Sequence, residues 1–277
     1  MSVPYFYKNR NSRFITLEGE DSSEFLQNLI TNDINKCRNN NIIYSCLLTP
    51  QGKFISDFFI FKQDEKFIIE THSFFYEKLL KNLNIYKLRS KILINEANYM
   101  NSYSIFGELQ KNEGTIFFVP DPRNKNIGNK LIHESKNPEI LNDFIEIDEN
   151  KYHEILINNS VPLSHYDLEE NKSLLLENNF ESLNAISWDK GCYVGQEITA
   201  RMKYRALLKK RIYSLILKEG SPIIKQSIKE NGSELGKIIS IKNKSILAML
   251  KIEFAETKIK SKEAIKTIDG LVLDFLI

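Results

Sequence analysis

The sequence predicts a chain of mixed helices and strands that ends in a small β-barrel. Up to residue 206, apolar residues recur by turns at strand and at helix spacing. Past Arg211 the texture changes to short strand-like runs at Ile212 to Leu217, Leu235 to Ile241, Ser245 to Phe254 and Leu271 to Ile277. Gly220-Ser221-Pro222 and Asn231-Gly232 separate them, which is the signature of a small barrel. A length of 277 residues gives a prior near two domains. The boundary is placed near residue 207, dividing 1–206 from 207–277.

The elements follow in order. Arg13-Phe14-Ile15-Thr16-Leu17 reads as a strand. Asp21, followed three residues later by Glu24, resembles a capping box opening a helix, whose Phe25, Leu26, Leu29 and Ile30 recur at helical spacing. Ile42 to Leu48 and Phe54 to Phe61 form a hairpin, because Thr49-Pro50-Gln51-Gly52 places Pro and Gly where a turn needs them. A helix over Ser73 to Leu83 carries Phe75, Leu79, Leu80 and Leu83 on one side, and Lys91 to Ile94 is the next strand. Strand signals return at Tyr103 to Phe106 and Thr115 to Val119. Asp121-Pro122-Arg123 opens a loop, and Asp148 to Leu156 is helical.

Composition excludes several classes. With 42% hydrophobic, 27% charged and 11% aromatic residues the chain is globular rather than disordered. A net charge of +2 is too mild to mark a nucleic-acid surface, although Lys203, Arg205, Lys209, Lys210 and Arg211 form a local basic cluster. The three cysteines, at 37, 46 and 192, have no Cys-x-x-Cys spacing, so a metal or cluster site supplied wholly by this chain is not expected. Their odd number suits a reducing compartment. Met1 to Lys8 lacks the apolar core of a signal peptide, and no apolar run approaches the roughly 20 residues of a membrane span. A soluble, cytoplasmic protein is the expectation.

Reactive, charged and backbone-permissive residues crowd together once, at Lys190-Gly191-Cys192-Tyr193-Val194-Gly195-Gln196-Glu197. Two glycines bracket a cysteine, which lets another molecule approach the backbone. Gln196 to Met202 reads as the first turns of a helix, so Cys192 precedes a helix N-terminus and follows a lysine, a setting that favours thiolate. The alternative is a buried cysteine acting as a small hydrophobe in a tight turn. Glu197 and Arg201, at i and i+4, either face a ligand or form a surface pair. The histidines, His72, His133, His153 and His165, carry no motif linking one of them to Cys192 as a base, which disfavours a cysteine hydrolase.

These residues resemble those of the YgfZ family, relatives of the glycine-cleavage T-protein. The resemblance rests on the octet from Lys190 to Glu197, on Thr199-Ala200-Arg201, on Lys210-Arg211 and on Leu175-Leu176-Glu177-Asn178-Asn179. Weaker echoes are Thr31-Asn32-Asp33, Pro50-Gln51-Gly52-Lys53, Leu88-Arg89-Ser90-Lys91 and Asp121-Pro122-Arg123. The resemblance implies an α+β, T-protein-like fold: interleaved subdomains around a central, folate-sized channel, followed by the small barrel.

It also implies a folate-binding accessory factor for iron–sulfur proteins, especially 4Fe–4S enzymes such as those that modify tRNA. Cys192 is then the functional thiol, with two versions open: a transient cluster ligand shared with an A-type scaffold protein, or redox protection of a cluster by bound folate. Tetrahydrofolate or a derivative is the implied cofactor. Glu177 would hold the pterin edge, with Lys190, Gln196, Glu197, Arg201, Arg89 and Gln51 as further ligand contacts. Asp57 is the candidate acid of a second reading, a folate-dependent one-carbon transferase. T-proteins tend to carry two adjacent acids there, where this chain has Ser56-Asp57. A third reading is a tRNA-binding module built on the basic cluster.

Overall fold

The computed structural model describes residues 3–37, 41–205, 207–230 and 232–276. Among these lie six α-helices: α1 (Ser22–Leu29), α2 (Ser73–Lys87), α3 (Glu149–Asn158), α4 (Ser164–Asp167), α5 (Gln196–Tyr204) and α6 (Ile252–Ser261). The turn expected at Asn231 and residue 206 of the expected boundary lie outside the described residues.

One five-stranded antiparallel sheet has the order Ile42–Leu48, Phe54–Gln63, Lys66–His72, Ser12–Glu18, Leu93–Glu96. All seven residues of Ile42–Leu48 are buried because this strand is covered on both faces. Successive side chains point to opposite sides of a sheet. Ile43 and Leu47 therefore meet Phe25, Leu26 and Leu29 of α1 and Leu79 and Leu83 of α2. Tyr44, Cys46 and Leu48 meet Leu175, Phe180 and Tyr193 on the other side. Each fully buried leucine or phenylalanine here contributes about 1.5–3 kcal/mol. That double cover fixes the strand beneath the 175–195 segment, which bears the cysteine motif.

The second sheet orders Ile145–Glu146, Tyr5–Lys8, Asn101–Phe106, Asn129–His133, Thr115–Pro120, parallel only at its first pair. The third is a six-stranded, nearly closed, barrel-like sheet built from residues 210–275, in the order Ser227–Glu230, Ser233–Lys242, Ser245–Lys251, Lys210–Glu219, Val272–Phe275, Ile265–Lys266. Helix α3 joins it to the rest: Ile157 packs on Ile212 and Leu247, and Ser214 donates to the Ile157 carbonyl. The α+β architecture with a barrel-like C-terminal sheet agrees with the sequence.

Several elements differ from expectation. Asp21 sits at the N-cap of α1 but makes no capping bond; its carboxylate accepts from the Lys91 amide at 2.6 Å. The strand expected at Lys91 to Ile94 is displaced to Leu93–Glu96. Helix α2 runs on to Lys87. The run expected as a strand through Phe254 ends at Lys251, where the chain turns into α6. Strands at Tyr5–Lys8, Lys66–His72 and Asn129–His133 were not anticipated.

Candidate functional site

Helix α1 ends at Leu29, with Ile30 already extended. A helix end leaves carbonyls without intrahelical partners. Here they meet the motif: the Lys190 Nζ donates to the carbonyls of Gln27 (2.6 Å), Ile30 (2.7 Å) and Asn32 (2.9 Å). A cation at this end also suits the helix dipole. Lys190 is only 8% exposed, and burial, partly offset by Asp33, pushes its ammonium down to about 8. Lys190 is thus corrected from a ligand contact to an internal anchor.

The approach to the motif is stitched down as well. The Thr31 hydroxyl donates to the Ala185 carbonyl (2.7 Å), the Asn32 amide to the carbonyls of Tyr44 (2.8 Å) and Asn184 (2.7 Å), and the Ser187 amide to the Thr31 carbonyl (3.0 Å). Beyond the cysteine, Tyr193 is buried in the Tyr44–Phe180 core, while Val194 packs towards α1. Gly195, at φ +83, lies against the Thr49–Gly52 turn, where a Cβ would stand 2.5 Å from the Thr49 carbonyl oxygen. Between these fixed ends, a Cβ on Gly191 would meet nothing within 4 Å, and Cys192 is exposed. The buried-hydrophobe alternative describes Cys37 and Cys46, which are both buried.

The other sequence candidates divide into two groups. Around the loop lie Gln196, half-buried at the start of α5, and the exposed ion pair Glu197–Arg201. Exposed Gln51 sits in the turn that packs on Gly195, and exposed Arg89 shares a surface groove with Val194, Phe25 and Glu24. Glu177 lies apart, its carboxylate 3.5 Å from the Lys210 Nζ. Asp57 lies in the central cavity. Two members of the basic cluster are engaged: Lys210 meets Glu177, and Lys203 pairs with Glu181 and lies 4.1 Å from the centre of the Trp188 ring.

That cavity has a volume of about 100 Å³ and is lined by residues of the first two sheets and by Pro162–His165, where the chain enters α4. Several of its polar groups meet one another. Asp57 accepts from the Tyr44 hydroxyl (2.6 Å) and the Ser164 hydroxyl (2.8 Å). Buried Lys130 meets Glu70 at 2.8 Å and donates to Ser102 at 3.1 Å. Arg123 grips Asp121 through two nitrogens, at 3.0 and 2.8 Å. Burial opposes the Arg123 charge most, but Asp121 together with Tyr152 and Tyr44 more than offsets it and keeps the guanidinium protonated. The His72 and His165 rings stack at 3.8 Å. Burial lowers His72, and burial together with His72 pushes His165 down to about 4. Asp121 and Arg123 stood in a motif of the sequence and His72 and His165 were noted only as lacking one, while Lys130, Glu70, Ser102 and Ser164 carried no signal, because only the pairing of the sheets brings these groups together.

This cavity as shaped is small for the folate expected above. Pockets for ligands of such size usually span about 300–1,000 Å³, against about 100 Å³ here. The expected pterin ligand Glu177 does not line it. Ser56 is also less telling than its place beside Asp57 suggested. Neighbours on a strand face opposite ways, and the Ser56 hydroxyl is buried without a partner while Asp57 faces the cavity.

With the geometry in hand, known proteins add two facts. Residues 10–106 match the GCVT N-terminal domain family. Over that segment the chain carries a GCVT N-terminal domain. Among solved structures, this GCVT-domain chain superposes on the glycine cleavage system aminomethyltransferase T of Bartonella henselae with a TM-score of 0.76, covering 98% of this chain and 84% of that one at 11% identity, a likeness of fold. Curated relatives bear another name: iron–sulfur cluster assembly factor IBA57, mitochondrial. The Neurospora crassa homologue is 32% identical over 76% of this chain, and the Mus musculus protein 26% identical over 75%. The matches span 53% and 65% of those relatives' own length. Among the described residues of the GCVT-domain chain, no cluster of three or more His, Cys, Asp or Glu is placed to hold a metal ion, and no helix is long and apolar enough to cross a membrane.

Proposed function

We propose that this chain is an iron–sulfur cluster assembly factor of the YgfZ and IBA57 kind, and that Cys192 supplies one thiolate to a cluster passing through a complex. The observation that carries the reading is the exposed cysteine on a loop fixed at both ends, while Cys37 and Cys46 are buried. Clusters are held by a set of thiolates, so one placed thiol calls for a partner that brings the others. An A-type scaffold is the partner proposed, and 4Fe–4S enzymes, tRNA-modifying ones among them, are the clients. The names of the curated relatives support this direction.

Folate binding, and one-carbon transfer through Asp57, both call for more room than this cavity has as shaped. The test is anaerobic mixing of the purified chain with an A-type scaffold, iron and sulfide, followed by visible absorption. A cluster band that depends on both proteins and is lost in Cys192→Ser supports the proposal. An unchanged band in Cys192→Ser removes the ligand role.

A further inference from the structure

The motif holds a second chemically distinctive residue that the cluster-ligand reading leaves without a task. Lys190 precedes Cys192 by two positions, yet its side chain runs inward and its ammonium meets the carbonyls of Gln27, Ile30 and Asn32. An ammonium has three protons, and three carbonyl partners use them all. Few side chains can replace it. An apolar one leaves three acceptors without a donor, a costly arrangement in a buried place. The far end of the loop is held by packing instead, through Tyr193 and the contact of Gly195 with the Thr49–Gly52 turn. Among the described residues, the polar tether on the near side nearest the thiol is Lys190; Trp188, donating to Glu181, and Ser187, bonded to Thr31, lie further back.

We infer that Lys190 is a positioning residue: by binding the carbonyl end of α1 it fixes where and how far the Cys192 thiol projects towards a shared cluster. The inference rests on the cluster-ligand reading of Cys192. The physical reason is pre-organisation. A cluster bridging two proteins tolerates little error in ligand position, and Gly191, with open space about it, would otherwise leave the near side of the loop free to wander. A lysine that merely capped α1 would change the stability of the fold and leave the cluster bound per folded molecule untouched.

The test compares wild type, Lys190→Met, Lys190→Arg and Cys192→Ser, with Lys172→Met as an exposed control. Amide hydrogen exchange is followed by mass spectrometry, and cluster absorbance with an A-type scaffold is normalised to folded protein. In Lys190→Met, exchange should accelerate about tenfold at 188–195 and at the end of α1, with the distant barrel strands unchanged. The cluster band should fall by about fivefold or more. Lys190→Arg, which still donates several N–H groups, should recover protection and most of the band, and it keeps the question open to test if the Met variant does not fold. Exchange that stays at the wild-type rate in the loop, or rises equally everywhere, overturns the inference. So does a full cluster band in a folded Lys190→Met. A band indifferent to Cys192→Ser would instead defeat the cluster-ligand reading, while the exchange data would still decide whether Lys190 fixes the loop.

Discussion

Gly195 and Gly52 touch across the base of the cysteine loop: a Cβ on Gly195 would lie 3.1 Å from the Gly52 Cα, and one on Gly52 would lie 3.0 Å from the Gly195 carbonyl oxygen. Both have positive φ, +83 and +70. Two separate chain segments thus meet where side chains cannot. Gly195→Ala adds both a strained backbone and a clash with the Thr49 carbonyl, so it should lower stability by about 1–3 kcal/mol in urea unfolding. Stability equal to wild type would show that the contact is not tight.

The buried Lys130–Glu70 pair makes a different prediction. Removing one member strands the other charge in the cavity wall, so Lys130→Met should cost about 3–5 kcal/mol. Lys130→Met combined with Glu70→Leu should recover most of this, since an apolar pair of similar size leaves no orphan. Equal losses in the single and the double variant would contradict the pairing. Urea midpoints of the three proteins decide it.

How much of this was legible in the sequence depends on the kind of signal. The loop could be found because Gly191, Cys192 and Gly195 announce exposure and backbone freedom in their residue types alone. The start of α5 and the hairpin ending at the Thr49–Gly52 turn were legible for the same reason. The direction of Lys190 was not. A lysine stem can snorkel outward or anchor inward, and only the fold brings the end of α1, some 160 positions earlier, within its reach. Glu177 failed similarly: its motif was visible, but the Lys210 that holds it comes from the barrel. The switch from strand to helix at Ile252 was hidden because Ile252 and Phe254 alternate with Lys251 and Glu253 and so extend the strand-like pattern of Ser245–Lys251.

The stacked histidines set a pH dependence. His165 is held at about 4 against an ordinary 6.5, first by burial and then by His72. The unfolded chain therefore binds more protons between those values, so stability rises with pH across that window. The contribution is complete above 6.5 and is lost as the pH falls towards 4. Replacing His165 with Phe should flatten this acid limb by on the order of 2 kcal/mol, read by denaturant unfolding at successive pH values. An acid limb as steep as wild type would count against a buried neutral His165.

Titration with tetrahydrofolate tests the cavity. With about 100 Å³ of space and several of its polar groups paired, the cavity as shaped should give no saturable binding signal in calorimetry. Glu177→Ala should behave like wild type. Tight binding that Asp57→Ala abolishes would show that the cavity opens and would restore the folate reading.

The most direct measurement is native mass spectrometry of the anaerobic mixture with an A-type scaffold. One complex should carry both chains and the added mass of a cluster, and that species should vanish in Cys192→Ser while the protein remains folded. A cluster-bearing complex of the same abundance in Cys192→Ser, or clusters found only on the scaffold by itself, would contradict the role assigned to this thiol.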